Sequence, residues 1–438
     1  MHYIRLLRPA SVNASNPKSP RLSLTLTITT DLGDTFLAPD SPVKILFTPK
    51  LQASSDGVTT VQPVQPVNGP AIWKDGMRVL KVKLPWKKAW SHGRINLCIE
   101  GLVSSGNDSI SSRDLQMSLP WRRKQFAKSN PGLIAPLTVE LDEGRGSDVA
   151  VREFIYNFPE SDDVPTMFLN LEEEIGESIA RHIWDAGLVT AALLLDGCRV
   201  EQNESESDHI IPITRKSPNV LELGSGVGIL GVALGMAIRP MASAQGIELE
   251  KATVLLTDLP EAEERARANV ERYQVGAHAH SQPAEILYEN LDWDDGSKGK
   301  FGPLVLSRCW DCIVLSDCTY NVDSFPVLVE TLSALHAHNQ KYSSKHDDIT
   351  AGSPTTKVIL STKPRHDSEK ALFGMLQGAG WKHHLFKSIP LPRLGDETET
   401  VEIYSIEKGP GSETTGSKKR RSDDAAQETE KKFAKIDS

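Results

Sequence analysis

Long apolar runs, disulfide-forming cysteines and an excess of positive charge are all missing from this sequence of 438 residues. No stretch approaches about 18 consecutive apolar residues, so no membrane-spanning helix is predicted. The start of the chain lacks both the apolar core and the cleavage site of a secretory signal, and we therefore expect a soluble intracellular protein. The net charge of −9 argues against a protein that coats nucleic acid, because phosphate binding normally leaves a basic domain or stripe.

Cysteine is scarce, and its five copies are spread along the chain, which excludes the disulfide framework of small secreted proteins. Cys309 and Cys312 form a CxxC, but they open the apolar run "CWDCIVLSD", where strand geometry would point them to opposite faces. No second pair completes a metal site. We expect reduced thiols in the core and no metal centre.

The N-terminal residues 1–103 have the pattern of a small antiparallel β unit. The alternating or β-branched runs "RLSLTLTITT", "PVKILFTP", "MRVLKVKLPW" and "RINLCIE" are separated by clusters of Pro, Gly, Asn and Asp. We find no catalytic motif in this unit. Its tryptophans are expected to pack a small sheet rather than to form a ligand surface, and they are Trp73, Trp86 and Trp90, with Trp121 close behind.

Polar and basic residues dominate the next segment, residues 104–148, which we interpret as a linker or irregular region. The run "WRRKQFAK" lies within it. An alternative interpretation is that this run is a basic contact patch for a partner.

Strands and helices then alternate over residues 149–408. "VAVREFIYNFP" predicts a strand, and "LEEEIGESIARHIWDAGLVTAALLLDG" predicts a helical stretch interrupted at Gly187. Seven further apolar strand patterns follow from "NVLELG" onwards, most of them separated by amphipathic helices. This alternation predicts an α/β fold, a doubly wound Rossmann-like sheet with helices on both faces. The last two strands are joined without a helix, so we expect the last strand to run antiparallel.

The tail, residues 409–438, is a low-complexity mixture of basic and acidic residues that cannot bury a core, and it is expected to be disordered. Its run "KKRR", Lys418 to Arg421, is a candidate nuclear localisation signal. We therefore expect a cytoplasmic protein, a nuclear one, or one found in both places.

The stretch "NVLELGSGVGILGVALG" carries the strongest chemical signal. Gly224, Gly226 and Gly228 lie between a buried strand and a helix, where backbone without a Cβ lets a ligand approach. The spacing departs from the dinucleotide fingerprint GxGxxG, because Ile229 stands where its third glycine belongs. The next strand ends in Asp258, whose carboxylate would lie beside the loop and accept both ribose hydroxyls.

A carboxylate also precedes the glycines, at Glu222. Two acids around a glycine loop suit a cationic nucleoside, such as one with a sulfonium tail, better than a pyrophosphate.

These residues resemble the methyltransferase family 16 group of seven-strand, S-adenosylmethionine-dependent protein lysine methyltransferases, which includes enzymes that modify valosin-containing protein. The resemblance covers roughly residues 154–408 and is carried by "IWDAG", "LELGSGVGILG", "LLTDLP", "LDW" and "LSDCTYN". It implies S-adenosylmethionine as cofactor. It further implies that Glu222 is an indirect partner and that the cofactor contacts are Trp184, Gly224, Ser225, Gly226, Asp258, Trp293 and Ser316.

"DCTY", Asp317 to Tyr320, follows the fourth strand and matches the D/E-x-x-Y/F motif of that group. A carboxylate at this edge of the sheet can orient a lysine amine, and an aromatic ring can wall its alkyl stem and contact the cation. We therefore expect Asp317 and Tyr320 to be the catalytic residues of methyl transfer to a protein lysine. We expect the protein to be a monomer whose partner is a protein substrate. We expect neither a membrane nor a nucleic acid as a partner.

Two alternatives stay open at this point. One is a small-molecule N-methyltransferase with a nicotinamide-like acceptor, although Asp317 to Tyr320 do not form an NPPY-like motif. The other is a non-catalytic cofactor-binding protein that docks partners through its N-terminal β unit.

Overall fold

Two large sheets and a two-stranded hairpin organise the chain. The computed structural model describes residues 1–13, 19–52, 58–60, 62–87, 90, 94–102, 104–105, 108–109, 113–123, 132–157, 166–176, 179–198, 210–211, 213–277, 284–345, 355–392 and 399–409. The tail beyond them includes Lys418 to Arg421, so the disorder and the nuclear signal predicted there lie outside the described residues. None of the described helices is both long enough and apolar enough to cross a membrane.

The first 14 strands supply the N-terminal sheet of 12 strands and the separate hairpin β9–β10. The strands are β1 His2–Leu6, β2 Ser11–Asn13, β3 Arg21–Thr29, β4 Val43–Gln52, β5 Val58–Thr60, β6 Ala71–Trp73, β7 Leu80–Pro85, β8 Arg94–Leu102, β9 Ser104–Ser105, β10 Asp108–Ser109, β11 Ile134–Ala135, β12 Leu137–Asp142, β13 Arg145–Tyr156 and β14 Met167–Glu174.

Within this sheet the main strand order is β11-β1-β3-β2-β13-β12-β8-β4-β5, and β14, β6 and β7 pair with β13, β4 and β3 respectively. Among the described pairs only β1 with β11 is parallel. Period-2 patterns explain the strands; in β12, Leu137, Val139 and Leu141 are buried while Glu140 and Asp142 are exposed. Trp73, Trp86 and Trp90 join the same core, as a packing role for them predicted.

The segment expected to be a linker instead contributes strands to this sheet. β11, β12 and the first four residues of β13 fall within residues 104–148, and the boundary predicted at residue 149 falls inside β13. The prediction was wrong because polar residues on the exposed side of a half-buried strand resemble a loop in composition.

The helical stretch predicted from Leu171 onwards also differs from the structure. Leu171 to Glu174 belong to β14, where Leu169, Leu171 and Glu173 are buried in alternation. The helix itself begins at Asp185, and Gly187 lies inside it without interrupting it. A side chain at Gly187 would collide with Ile229, 2.8 Å from an ideal Cβ, so close packing of two helices explains this glycine.

The second sheet has seven strands and matches the predicted doubly wound fold. Its strands are β15 Asn219–Leu223, β16 Thr253–Asp258, β17 Glu285–Asn290, β18 Cys312–Ser316, β19 Thr356–Thr362, β20 Lys382–Pro390 and β21 Thr400–Lys408. The order is β17-β16-β15-β18-β19-β21-β20, and β21, the last strand, runs antiparallel to both neighbours as predicted.

Helices cover both faces of this sheet. They are α1 Pro120–Arg123, α2 Asp185–Asp196, α3 Ile229–Ala244, α4 Pro260–Ala277, α5 Trp293–Gly296, α6 Pro303–Leu306, α7 Phe325–Lys345 and α8 Ala371–Gly378. Residues of α2, α3 and α4 share one core with Val220 and Val254, whereas residues of α7 and α8 share another with Leu221 and Leu255. Alternate residues of the same strands thus face opposite helical layers.

The N-terminal sheet packs on the α2 side of the second sheet. Tyr3, Phe154 and Leu171 belong to the same buried cluster as α2 and α3. The segment around α1 contributes as well, since the indole N–H of Trp121 and the Nε–H of Arg122 donate to Asp196 at 2.8 and 2.7 Å. These contacts within the chain use the first residues of the run that was a candidate patch for a partner; Lys124 to Lys128 lie outside the described residues.

All five cysteines are buried and free. No cluster of His, Cys, Asp and Glu in the described part of the chain is suited to hold a metal ion.

Arg152 joins four segments of the N-terminal sheet from a fully buried position. Its guanidinium donates to Glu173 at 2.8 and 2.5 Å and to the Ile4 carbonyl at 2.7 Å. It also donates to the carbonyls of Ala135 and Pro136 at 3.1 and 2.7 Å. All the groups that accept these hydrogen bonds belong to buried residues.

We expect Arg152→Met to lower the free energy of unfolding by about 3–5 kcal/mol, because the buried carboxylate of Glu173 would lose its arginine partner. The measurement is urea denaturation followed by tryptophan fluorescence. Arg94→Met is the matched control: Arg94 pairs with Glu140 at 3.7 Å in the open, with side chains 67% and 47% exposed, and its loss should cost about 1 kcal/mol or less. Equal losses in the two variants would contradict the role given to Arg152.

Candidate active site

The glycine loop joins β15 to α3 at the point where the strand order reverses. β15 lies between β16 and β18, so chain connections leave it in opposite directions and a crevice opens at its carboxyl end. Gly224, Gly226 and Gly228 have φ values of +66°, +53° and +82°, which disfavour any residue with a Cβ. A Cβ at Gly224 would also lie 2.6 Å from the Cys318 sulfur. Both backbone conformation and space therefore require glycine at this loop.

Asp258 ends β16 beside this loop, as the sequence predicted. Its Oδ2 accepts the Gly226 N–H at 2.6 Å, and its Oδ1 accepts the Leu259 N–H at 2.7 Å. Burial raises the pKa of this carboxyl, and the two amide hydrogen bonds oppose that rise. Since a carboxylate has about four acceptor positions, each oxygen keeps one for a ligand.

A cavity of about 460 Å³ lies over the loop. All nine residues predicted for the site line it, namely Trp184, Gly224, Ser225, Gly226, Asp258, Trp293, Ser316, Asp317 and Tyr320. All nine residues therefore lie around one cavity, and the role of each one remains a prediction.

The wall of the cavity includes a polar group from Ser225 and an aromatic ring from Trp293. Among the described residues, the Ser225 hydroxyl is buried without a hydrogen-bond partner. The Trp293 ring lies 3.4 Å from the ideal Cβ position of Gly224 and so covers the loop from one side.

The cavity lining is acidic. It includes the carboxylates of Asp258, Glu261, Asp292, Asp294 and Asp317. The guanidinium of Arg365 and the imidazole of His182 are the basic groups among the described lining residues. A concave site with this balance attracts cations.

Glu222, which the resemblance implies is an indirect partner of the cofactor, is fully buried and does not line the cavity. Burial raises the pKa of Glu222 well above its usual value, with the nearby charge of Asp258 acting in the same direction. Of the two acids expected around the loop, only Asp258 lines the cavity, because Glu222 is close to the loop in the sequence but is buried in the fold. The acids that do line the cavity come from later loops.

Asp317 follows β18 with a φ of +51°, an uncommon conformation for a residue with a Cβ. Its Oδ2 accepts the Ala186 N–H at 2.9 Å, and its Oδ1 accepts the Lys363 N–H and an N–H of Arg365, both at 3.1 Å. Burial raises the pKa of Asp317, and the Arg365 guanidinium opposes the rise. Three of about four acceptor positions are thus used within the protein, which leaves one for a ligand.

Tyr320, the other residue of the predicted pair, is 62% exposed at the mouth of the cavity. Trp184 lies on another side, with the guanidinium carbon of Arg365 5.3 Å from its ring centroid. The site therefore combines a closed floor at Asp317 with an open aromatic rim.

A buried charge cluster, defined as Asp31, Asp185, Asp317, Lys363 and Arg365, connects this floor to the N-terminal sheet. The Lys363 ammonium lies 2.5 Å from Asp31 and 2.8 Å from Asp185. Arg365 contacts Asp31 at 2.9 Å and Asp317 at 3.1 Å. Although burial alone would lower the pKa of Lys363, the two carboxylates hold it above its ordinary value. The cluster therefore keeps its cations charged.

The lining residues that were not predicted from the sequence include Leu32, His182 and Arg365. Leu32 comes from the loop after β3, and no local signal associates that loop with the site. His182 precedes α2 and carries no motif. Arg365 could have been found, since polar residues just beyond β19 belong at the same edge of a parallel sheet as Asp258 and Asp317.

The protonation of Glu222 predicts a pH effect on stability. Because its folded pKa lies above the usual 4.5, the folded protein keeps a proton that the unfolded chain releases. The stability that this proton provides is complete below pH 4.5 and is lost as the pH rises through the folded pKa. Glutamine cannot titrate, so the free energy of unfolding of Glu222→Gln should increase relative to that of the wild type as the pH rises.

Urea denaturation at a series of pH values checks this, with Glu407→Gln, a change at an exposed position of β21, as the control. A difference between wild type and Glu222→Gln that stays constant with pH would contradict a protonated Glu222.

Comparison with known proteins agrees with this geometry. A family model described as lysine methyltransferase matches residues 164–379. A UPF0665 family protein of Schizosaccharomyces pombe is 30% identical over 236 residues, which cover 54% of this chain and 55% of that protein. The protein-lysine N-methyltransferase EFM6 of Saccharomyces cerevisiae is 24% identical over 223 residues, 48% of this chain and 74% of that protein. The chain thus spans about half the length of the fission yeast relative.

Solved structures of similar fold include Pyrococcus horikoshii TYW2 in complex with MeSAdo, with 13% identity and a TM-score of 0.29 over 60% of this chain and 74% of that one. Residues 164–379, which match the lysine methyltransferase family model, span the glycine loop, Asp258 and the "DCTY" segment.

Proposed function

We propose that the protein transfers a methyl group from S-adenosylmethionine to the side-chain amine of a lysine in a protein substrate. The observation that carries the proposal is the acid-lined cavity over the glycine loop, in which Asp258 is held by the Gly226 N–H at 2.6 Å. S-adenosylmethionine supplies an electrophilic methyl group on a cationic sulfur when it is bound. The lysine methyltransferase match over residues 164–379 and the yeast relative named as a protein-lysine N-methyltransferase support the choice of acceptor.

The residues present fit this cofactor. Asp258 has a free acceptor position on each oxygen for the two ribose hydroxyls. Ser225 offers a buried hydroxyl without a partner among the described residues, and Trp293 offers an aromatic face beside Gly224. A positively charged sulfur is favoured by the carboxylates around the cavity. Trp184, Gly224, Gly226 and Ser316 complete the proposed binding set.

The acceptor side uses Asp317 and Tyr320. The one acceptor position left on Asp317 can orient a lysine amine, and the exposed Tyr320 ring can wall its alkyl stem. The amine must be neutral to attack the methyl group, whereas a free lysine has a pKa of about 10.4. Desolvation in the cavity lowers that pKa and releases the proton to water before the displacement. Alignment supplies most of the rate enhancement.

Cofactor binding gives the first test. We expect Asp258→Ala to weaken the affinity for S-adenosylhomocysteine by about 100-fold or more, because two charge-assisted hydrogen bonds to the ribose are lost at about 1.5 kcal/mol or more each. Isothermal titration calorimetry measures this. Asp295→Ala removes a carboxylate of α5 that pairs with Lys300 at 3.5 Å outside the cavity lining, and its affinity should equal that of the wild type. Unchanged binding in Asp258→Ala would overturn the assignment of the cavity.

The class of acceptor is tested by labelling. Incubation of a cell lysate with the protein and tritiated S-adenosylmethionine should label a protein band, and hydrolysis of that band should release methylated lysine. Asp317→Asn should reduce the labelling rate more than it reduces affinity for S-adenosylhomocysteine, because the change affects the amine and not the ribose. Label confined to the small-molecule fraction would instead identify a small-molecule N-methyltransferase.

A further inference from the structure

A second cavity of about 520 Å³ lies between the N-terminal sheet and the cofactor cavity. We call it the docking cavity and define it by its lining from Arg5, Leu7, Phe36, Arg78, Val79 and neighbouring residues. It shares Leu32, His182 and Trp184 with the lining of the cofactor cavity. The two cavities are therefore neighbours along one surface, and a single extended chain can contact both.

The wall of the docking cavity combines apolar surface with arginine. Leu7, Leu32 and Val79 are 54%, 50% and 39% exposed, although they are large apolar side chains. The Arg78 guanidinium carbon lies 5.7 Å from the Phe36 ring centroid, so this cation rests on an aromatic surface. A surface of this kind suits an apolar side chain and an anionic one side by side.

The acidic residues of the docking cavity are already paired within the protein. Asp31 binds Lys363 and Arg365, Glu173 binds Arg152, and Glu174 binds Arg181. These carboxylates therefore do not offer free negative charge to a ligand.

The arginines of the docking cavity are in the opposite situation. Among the described residues, neither Arg5 nor Arg78 has a carboxylate oxygen within 4.0 Å. Arg5 donates instead to the Asp31 carbonyl at 2.8 Å. The Thr29 hydroxyl, 3% exposed, also lines the cavity and has no hydrogen-bond partner in the described part of the chain. The docking cavity thus presents two cations without a carboxylate partner and a buried hydroxyl without a hydrogen-bond partner among the described residues.

In the cofactor cavity five carboxylates outnumber the two basic groups. In the docking cavity the three lining carboxylates are paired within the protein, whereas the two arginines have no carboxylate partner among the described residues. A chain that extends from the docking cavity to Asp317 meets two arginines at one end and a carboxylate at the other, which suits an anionic side chain near a basic one. A protein segment with a lysine followed or preceded by an acidic residue has this pattern, and only one direction of the chain places each charge in its complementary cavity.

We propose that the docking cavity binds an extended segment of the protein substrate that carries an aspartate or glutamate and an adjacent apolar side chain near the acceptor lysine. The proposal depends on the lysine methyltransferase activity proposed above. The acidic side chain pairs with Arg78 and Arg5, and the apolar one packs on Leu7 and Val79. The chain passes Leu32, His182 and Trp184, which places the lysine at Asp317. The N-terminal sheet is then the part of the molecule that selects the substrate.

The test compares Arg78→Glu with Lys83→Glu. Lys83 is an exposed residue of β7 that does not line either cavity, and its substitution makes the same change in net charge. The substrate protein labelled in the lysate is purified, its methylated lysine is mapped by mass spectrometry, and initial rates are measured against its concentration. Affinity for S-adenosylhomocysteine, measured by calorimetry, shows that each variant is folded; Arg78→Gln replaces Arg78→Glu if that affinity is lost.

We expect Arg78→Glu to raise KM for the substrate by about tenfold, equivalent to about 1.4 kcal/mol of binding, with kcat and cofactor affinity unchanged. Lys83→Glu should keep the wild-type KM. Replacing the acidic residue nearest the methylated lysine by lysine should restore binding to Arg78→Glu and weaken binding to the wild type.

Three results would overturn the proposal: an unchanged KM in Arg78→Glu, an equal rise in Lys83→Glu, or a methylated lysine without an acidic neighbour. If the wild type binds S-adenosylhomocysteine but labels no protein, the lysine methyltransferase activity fails first and the docking proposal fails with it. In the three preceding cases protein labelling persists, so the two failures are distinguishable.

Discussion

The buried ammonium of Lys363, held between Asp31 and Asp185, is the interaction on which the relation of the two sheets depends. Asp31 follows β3 of the N-terminal sheet, whereas Lys363 follows β19 and Asp185 begins α2. A buried charge is costly unless its partners are present, so this cluster tolerates one arrangement of the three segments and penalises others. Although burial opposes ionisation, the Met1 α-amino group and Lys363 hold the pKa of Asp185 below its ordinary value.

This constraint shapes the site through Arg365, which joins Asp31 to Asp317. One end of its guanidinium contacts a loop of the N-terminal sheet and the other contacts the floor of the cofactor cavity. The next residue of that loop, Leu32, lines both cavities. The β-rich unit is consequently part of the wall of the site, in addition to its own core of residues such as Leu24, Phe47 and Leu97.

Prediction from the sequence succeeded for features that depend on residues close to one another in the chain. Gly224 and Asp258 were found because a strand, a glycine turn and a helix recur in a fixed order, and parallel strands bring their carboxyl ends to one edge. The antiparallel last strand followed from a connection too short for a crossover helix. Prediction failed where pairing partners decide the outcome: Leu171 to Glu174 have both helical and alternating features, and hydrogen bonds to β13 settled them as a strand.

The sequence by itself determined the α/β sheet, the glycine loop and the acid at the end of β16, since each depends on residues near one another in the chain. Tertiary structure alone decided that Glu222 is buried away from the ligand, that Asp317 is held by Arg365, and that Leu32 reaches the cofactor cavity. The physical reason is that burial and charge pairing depend on distances across the folded protein. Asp31 and Lys363, 332 positions apart in the chain, are partners only in the folded protein.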